Sequence, residues 1–184
     1  MKEGRVLPPA EIVAIFKRFP EGNPYYIPLF LAYAYGMEKD EAFAITVNDA
    51  TMYNDRIMTT KKIKYNRSDN HHYISLASYA FGIYIKDDPE VNKIIRRAVH
   101  HRIDSKHTDV YFRDRRDGRI GAKRGEPLFF LNAREDGTFI SPQGINHVAR
   151  VIHGKKGKFE YVDPEWKFED MITSGFFYRH KLFA

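Results

Sequence analysis

A run of basic side chains, "KKIKYNR", gives this sequence its clearest chemical potential. The run contains Lys61, Lys62, Lys64 and Arg67. Ammonium and guanidinium groups bind phosphate oxygens, and they release counterions from DNA when they do so. On a β-strand, Lys61 and Lys62 would point to opposite faces, so only one of them can enter a given cleft. Such charges also keep a strand edge from pairing with another molecule, and the two roles are compatible.

Histidine is the other residue type that invites a chemical interpretation, because paired histidines bind metal ions. His71 and His72 form one doublet, His100 and His101 form a second, and His107 lies nearby. Adjacent histidines point apart on a strand and diverge by about 100° on a helix, so neither doublet has the i, i+4 spacing of a helical zinc pair. The chain has no cysteine, which excludes thiolate ligands and disulfides. We expect surface histidines with no metal and no cofactor, which makes a metal-dependent nuclease the least favoured class.

The composition is that of a single globular domain with a basic surface. The 184 residues are 43% hydrophobic and 15% aromatic, which is enough for one core. Thirty Lys and Arg against 24 Asp and Glu leave a formal net charge of +6, which favours polyanionic partners but also suits ordinary solubility. No apolar run approaches the roughly 20 residues that cross a bilayer, and there is no signal segment. We therefore expect a cytoplasmic protein without membrane contact.

The first fifty residues predict three helices. Prolines at positions 8 and 9 open the first, whose apolar residues keep a helical period up to the next proline. Asn23 is suited to cap a second helix, and Gly36 is suited to end it. A third, shorter helix is predicted within residues 37–50, before a turn at Asn48 and Asp49.

The pattern then changes to strands before helices return. Extended segments are predicted at 56–65 and 72–76, joined by the turn-prone "NRSDN" as an antiparallel hairpin. Residues 88–103 predict a helix, and the charged, glycine-rich stretch 104–127 predicts an exposed loop. Further helices are predicted at 141–154 and at the end of the chain. The fold class that follows is α+β, mainly α-helical with a small antiparallel hairpin.

Five stretches stand in an order and spacing that carry further information. They are "LPPAEIVAIF", "YYIPLFLAYAYGMEKDEAFAIT", the hairpin with "TKK", "LFFLNAREDGTFISPQGINHVAR" and "ITSGFFYRHKLFA". Together they resemble the catalytic domain of the tyrosine recombinases, the phage-integrase family, over nearly the whole chain. The resemblance implies a single catalytic-domain-like unit over residues 1–184. It also implies that the helices with the nucleophilic tyrosine would follow the end of this chain.

The resemblance also implies roles for individual residues. In that family a tyrosine hydroxyl attacks a DNA phosphodiester without a metal ion, and cations stabilise the charge that builds on the phosphate. Lys61 would protonate the leaving oxygen, Arg179 would bind the phosphate, and His180 follows Arg179 as in many relatives. Further candidates for DNA contact are Lys62, Lys64, Arg67 and Arg150.

Two positions depart from the family pattern. Glu38 replaces the first arginine, and its carboxylate would repel a phosphate by about 1–4 kcal/mol at contact range. Phe176 replaces a histidine and cannot transfer protons. Lys39 would point about 100° away from Glu38 on a helix, so we do not expect it to substitute. Tyr161 and Tyr178 are expected to be packing residues and not alternative nucleophiles.

These observations predict a DNA-binding domain that resembles an integrase, acts in DNA recombination or integration, and does not cleave DNA as this chain. Its partner would be double-stranded DNA, on which further copies of the chain would assemble. Lys61 and Arg179 are far apart in sequence, and we expect them to meet in one positively charged groove. The alternative is a regulatory or protein-interaction module that keeps the fold without binding DNA.

Overall fold

The computed structural model describes residues 4–68, 71–84, 88–104, 113–114, 131, 140, 142–146 and 165–183. The chain divides into two compact units. The first comprises Met1–Ala42 and Ser141–Ala184, and the second comprises Phe43–Ile140. The elements in chain order are α1 (Pro9–Arg18), α2 (Tyr26–Tyr35), α3 (Lys39–Ala42), α4 (Val47–Thr51), β1 (Arg56–Asn66), β2 (His71–Tyr84), α5 (Pro89–Asp104), β3 (Arg113–Asp114), a 3-10 turn (Pro142–Gly144) and α6 (Phe168–Phe183). The predicted fold class, mainly helical with a small sheet, is confirmed.

The first two predicted helices are present in the first unit as α1 and α2. A proline opens α1, where its missing N–H would have no helical partner in any case. Asn23 does not cap α2, because its side-chain oxygen accepts from the N–H of Tyr25 in the preceding turn. Gly36 ends α2 as predicted, in the left-handed conformation (φ 70°) that a residue without Cβ adopts readily, and its N–H donates to the carbonyl of Ala32.

The single helix predicted within residues 37–50 is wrong, since two short helices, α3 and α4, occupy that range. The residues between them, including Phe43 and Ile45, are fully buried, and tertiary packing outweighs the helical period there. The N–H of Leu131 donates to the carbonyl of Ile45 over 2.8 Å, a bond that a continuous helix would leave no room for. Thr46 then starts α4 with a capping box, so the turn predicted at Asn48 and Asp49 is helical.

Close contact between α2 and α6 forms the centre of the first unit. Gly175 makes it possible, because an added Cβ there would run into the backbone of Tyr33. Aromatic and aliphatic side chains fill the space around the two helices. Those that are nearly inaccessible include Leu29, Leu31, Met37, Trp166, Phe168 and Met171. Trp166 is therefore a packing residue, as its type suggests.

The N-terminal segment of the first unit is held by a polar row along α6. The backbone N–H of Arg5 donates to Asp170 over 2.8 Å, and that of Leu7 donates to Ser174 over 2.8 Å. Tyr178 donates its hydroxyl to the carbonyl of Leu7, also over 2.8 Å. Asp170, Ser174 and Tyr178 recur every four residues, so they share one face of the helix. Side chains thus satisfy backbone groups that an extended segment would otherwise leave without partners.

The second unit is built on the antiparallel pair of β1 and β2. The hairpin prediction is confirmed, and β2 is longer than predicted. Thr59 pairs with Phe81 while Lys61 pairs with Leu76, so residues 77–80 of β2 lie opposite Thr60 alone. Within the predicted exposed loop, Arg113–Asp114 instead forms β3, a short strand parallel to β2. The rest of that loop lies outside the described residues.

One helix packs on β1, and a second helix packs on the first. α4 contacts both β1 and α5, and Arg96 of α5 donates to the carbonyl of Ala50 at the end of α4 over 3.5 Å. α5 has a buried apolar face, formed by Val91, Ile95 and Val99. Their i, i+4, i+8 spacing puts them on one face. The second unit is thus a hairpin covered by α4, which in turn contacts α5.

The remaining predicted helix, 141–154, is described only at its start. Pro142–Gly144 forms a 3-10 turn, and residues 145–146 are α-helical. Asn146 accepts from the N–H of Phe168 over 3.0 Å and so ties this segment to the first turn of α6. Among the helices that the structure describes, none has the length and apolar character needed to cross a bilayer.

Candidate nucleic-acid interface

The two faces of β1 differ in burial, and the basic residues are divided between them. Ile57, Thr59 and Ile63 are at most 1% exposed and mark the interior face. Lys62 and Lys64 alternate with these residues and are half-buried on the other face. Of the three lysines of β1, Lys61 therefore lies on the interior face, and Lys62 and Lys64 lie on the outer face. The opposite orientation of Lys61 and Lys62 agrees with the predicted strand alternation.

The turn after β1 extends the basic surface. Arg67 is exposed in that turn, three residues beyond Lys64. Lys62, Lys64 and Arg67 therefore lie at the outer face and tip of the hairpin, and we call these three residues the hairpin basic row. A row of cations on a strand can follow a phosphate backbone without reading base edges.

Lys61 forms an ion pair inside the second unit. Its Nζ lies 3.2 Å from Oδ1 of Asp49 in α4, with the side chains 26% and 8% exposed, respectively. The pair follows from the fold, because β1 turns its interior face toward α4 and Lys61 occupies that face between Thr59 and Ile63. The sequence pattern does not point to Asp49, since it predicts a turn at that position.

Asp49 is held by two hydrogen bonds with Thr46, one to its carboxylate and one from its backbone N–H. Its Oδ2 accepts from the N–H of Thr46 over 3.0 Å, while its own N–H donates to the hydroxyl of Thr46 over 3.1 Å. This capping box holds the first turn of α4. Because Oδ2 is committed to the cap, only Oδ1 faces the ammonium of Lys61. Asp49 is therefore the rigid member of the pair, and the long lysine side chain is the adaptable one.

The other cations predicted from the family resemblance belong to the first unit. Arg179 and His180 lie within α6, toward its C-terminal end. Arg150 lies outside the described residues. Lys61 is part of the second unit, and its meeting with Arg179 stays a prediction.

The two positions that depart from the family pattern lie near each other in the first unit. Phe176 of α6 packs its ring against Gly36, where an added Cβ would lie 2.8 Å from the nearest ring atom. Glu38 follows two residues after Gly36 and is exposed. Its carbonyl accepts from the N–H groups of Glu41 and Ala42 and so starts α3. Neither a carboxylate nor a phenyl ring can bind a phosphate oxygen by donating a hydrogen bond.

Tyrosine and histidine do not form an alternative reactive centre in the described part. The hydroxyl of Tyr178 is engaged with Leu7, as a packing role predicts, and Tyr161 lies outside the described residues. His100 and His101 are exposed on α5, whereas His107 lies outside the description. Across the described ranges, His, Asp and Glu side chains form no group of three that could hold a metal ion.

Comparison with known proteins gives a match in structure but not in sequence. No protein-family model matches the chain, and no curated protein sequence does either. The Tn1549 transposon integrase in complex with transposon right-end DNA matches with a TM-score of 0.65 and 14% identity, over 100% of this chain and 56% of that one. The same integrase with a circular-intermediate DNA gives a TM-score of 0.64 and 17% identity, over 100% and 55%.

These matches concern the fold. The chain spans about half the length of the integrase chains that it matches. The sequence identities are only 14–17%, but the structural match covers the whole of this chain. The resemblance expected from the five sequence stretches is therefore confirmed at the level of the fold. The chain has the fold of an integrase of the tyrosine-recombinase class.

Proposed function

We propose that this chain is a DNA-binding, integrase-like domain that acts in DNA recombination or integration. The observation that carries the proposal is the hairpin basic row, three cations on the outer face and tip of β1–β2. The fold supports it, because the matched integrase structures are complexes with DNA. The chain's formal net charge of +6 adds a general attraction to a polyanion. Binding is through the phosphate backbone, so it depends on salt more than on base sequence.

The proposed DNA contacts are those that the family resemblance implies. Lys62, Lys64 and Arg67 bind phosphates from the hairpin, and Arg150 and Arg179 add phosphate contacts. His180, next to Arg179, belongs to the same set. Lys61 is a further phosphate contact of the second unit, and Arg179 is one of the first unit. The whole chain acts as a single domain within the cell, and further copies assemble on the same duplex.

Neutralising the hairpin basic row is expected to abolish most of the affinity for DNA. In a Lys62→Gln, Lys64→Gln, Arg67→Gln variant, three phosphate contacts are lost, and we expect the Kd for a duplex of about 30 base pairs to rise at least 30-fold at about 0.1 M salt. Fluorescence anisotropy with a labelled duplex measures this change.

A matched control separates local contact from overall charge. The variant Lys17→Gln, Lys93→Gln, Lys167→Gln removes the same charge from exposed lysines in α1, α5 and the residue before α6. We expect it to raise the Kd less than about 5-fold, because only non-specific attraction is reduced. Equal losses in the two triple variants would refute a specific role for the hairpin.

We further propose that the active site is degenerate. Glu38 brings a negative charge to a position where the family resemblance implies a phosphate-binding arginine, and Phe176 removes a proton-transferring group. Both substitutions act against a negatively charged transition state. The domain therefore holds DNA without breaking it.

Cleavage is expected to be absent even after repair of these positions. A nicked suicide duplex incubated with the chain, or with its Glu38→Arg, Phe176→His variant, should give no covalent protein–DNA adduct on a denaturing gel. The physical reason is that Tyr178, the tyrosine next to Arg179 in α6, has its hydroxyl bonded to the backbone of Leu7. An adduct with the unmodified chain would contradict the proposed degeneracy.

A protein-interaction module is the second candidate function. Phe176 and Phe177 favour it, because both are large apolar side chains exposed by 47% and 40% on α6. A module of this kind would show almost no affinity for DNA even in dilute buffer, where a phosphate-binding protein binds most tightly. The anisotropy measurement therefore distinguishes the two candidates.

A further inference from the structure

The ion pair between Lys61 and Asp49 suggests a control on DNA binding that rests on the proposed function. We propose that Asp49 is an internal competitor for the phosphate at Lys61, so that Lys61 contributes to DNA binding only when its ammonium leaves the carboxylate. The pair spans 3.2 Å between Nζ and Oδ1.

The geometry makes Asp49 a persistent competitor. Its side chain is 8% exposed, and its second oxygen accepts from the N–H of Thr46 over 3.0 Å. Rotating the carboxylate away would break its bond from the N–H of Thr46, which is one of the two hydrogen bonds of the capping box. Only Lys61 can move, and its departure leaves a largely buried carboxylate without its counter-charge, which disfavours the exchange.

Lys61 differs from the hairpin basic row in the net charge that it presents to DNA. The pair of ammonium and carboxylate has no net charge, so an approaching phosphate gains little from Lys61 while the pair is intact. Lys62 and Lys64 point to the opposite face of β1 from Lys61, so the carboxylate of Asp49 does not neutralise them in this way. The three residues of the row set the basal affinity, and the Lys61–Asp49 pair sets whether a fourth cation is added.

Removing the carboxylate charge is expected to strengthen DNA binding. Asn at position 49 can still accept from Thr46, so Asp49→Asn removes the charge and keeps the acceptor of the cap. We expect the Kd for the duplex to fall about 5-fold, and the slope of log K against log salt to steepen by about 0.9, as one added phosphate contact requires. Thermal melting of the same variant verifies that it is folded.

The effect of Lys61 should depend on Asp49. We expect Lys61→Gln alone to change the Kd less than about 2-fold, whereas Lys61→Gln in the Asp49→Asn background should weaken binding about 5-fold and cancel the gain. Asp55→Asn is the matched control, since it removes a carboxylate that pairs with Arg56 over 3.1 Å in the same unit. It should leave the Lys61 effect unchanged.

A second readout follows the pair without DNA. Mild labelling with an amine reagent, read by mass spectrometry, should modify Lys61 several-fold faster in Asp49→Asn than in the unmodified chain. An unchanged Kd in Asp49→Asn would overturn this inference, and so would a gain in affinity that persists in the Asp49→Asn, Lys61→Gln variant. In either case, salt-dependent binding by the unmodified chain would leave the proposed function intact. Absence of salt-dependent binding in every variant overturns the proposed function itself, and the competition for phosphate with it.

Discussion

Gly175→Ala is expected to destabilise the first unit by about 3 kcal/mol or more, although alanine is the better helix former. Helix propensity alone would favour alanine in α6 by about 1 kcal/mol. The added Cβ, however, meets the carbonyl of Tyr33 in α2 at a distance that real atoms do not adopt. Backbone cannot rotate away as a side chain can, so the two helices must separate and lose buried contacts.

Whether Gly175→Ala raises or lowers Tm shows which is larger, the gain in helix propensity or the steric clash with Tyr33. In a chain of this size a loss of about 3 kcal/mol corresponds to a fall in Tm of about 6–12 °C, measured by circular dichroism. Gly144→Ala is the control, because nothing lies within 4 Å of a Cβ at that position. It should leave Tm within about 2 °C. A higher Tm for Gly175→Ala would show that α2 and α6 are not in close contact.

Asp170→Ala is expected to cost about 2–4 kcal/mol, because one carboxylate satisfies two backbone donors. Asp170 is 1% exposed, and it accepts from the N–H of Arg5 over 2.8 Å and from the N–H of Lys167 over 2.9 Å. The first bond holds the N-terminal segment, and the second caps α6. Alanine leaves both donors without this acceptor, and each loss costs about 1–2 kcal/mol.

Chemical denaturation monitored by circular dichroism measures this free energy, and two variants calibrate it. Asp170→Asn keeps one side-chain oxygen, so its loss should be about half that of alanine. Glu90→Ala removes a carboxylate that is 78% exposed in α5 and should change the free energy of unfolding by less than about 0.5 kcal/mol. Equal effects of Asp170→Ala and Glu90→Ala would mean that the polar row of α6 does not hold the N-terminal segment.

Local sequence signals predicted the elements wherever they agreed with packing. Prolines before α1, Gly36 after α2, and the alternating segment of β1 all have local physical causes, and each is found in the structure. The helix predicted within residues 37–50 failed because its middle residues are buried by contacts from far along the chain, such as the bond from Leu131. No local pattern carries that information.

The candidate site was only partly visible in the sequence. The hairpin cations could be identified because like charges on a strand are a local pattern. The partner of Lys61 could not be identified, since Asp49 reaches it through the packing of α4 on β1. The local sequence predicts a turn where the capping box fixes Asp49. The spacing of Asp170, Ser174 and Tyr178 was a usable signal for the polar face of α6. Its partner, the backbone of the N-terminal segment, has no signature of its own.

The salt dependence of DNA binding tests the central claim most directly. The Kd for a labelled duplex, measured between about 0.05 and 0.3 M salt, should give a line of log K against log salt with a slope of about −3 or steeper, since each neutralised phosphate contributes about −0.9. The variant lacking the three charges of the hairpin basic row should have a slope shallower by about 2.7. A wild-type slope near zero, or no binding in the most dilute buffer, would contradict the account.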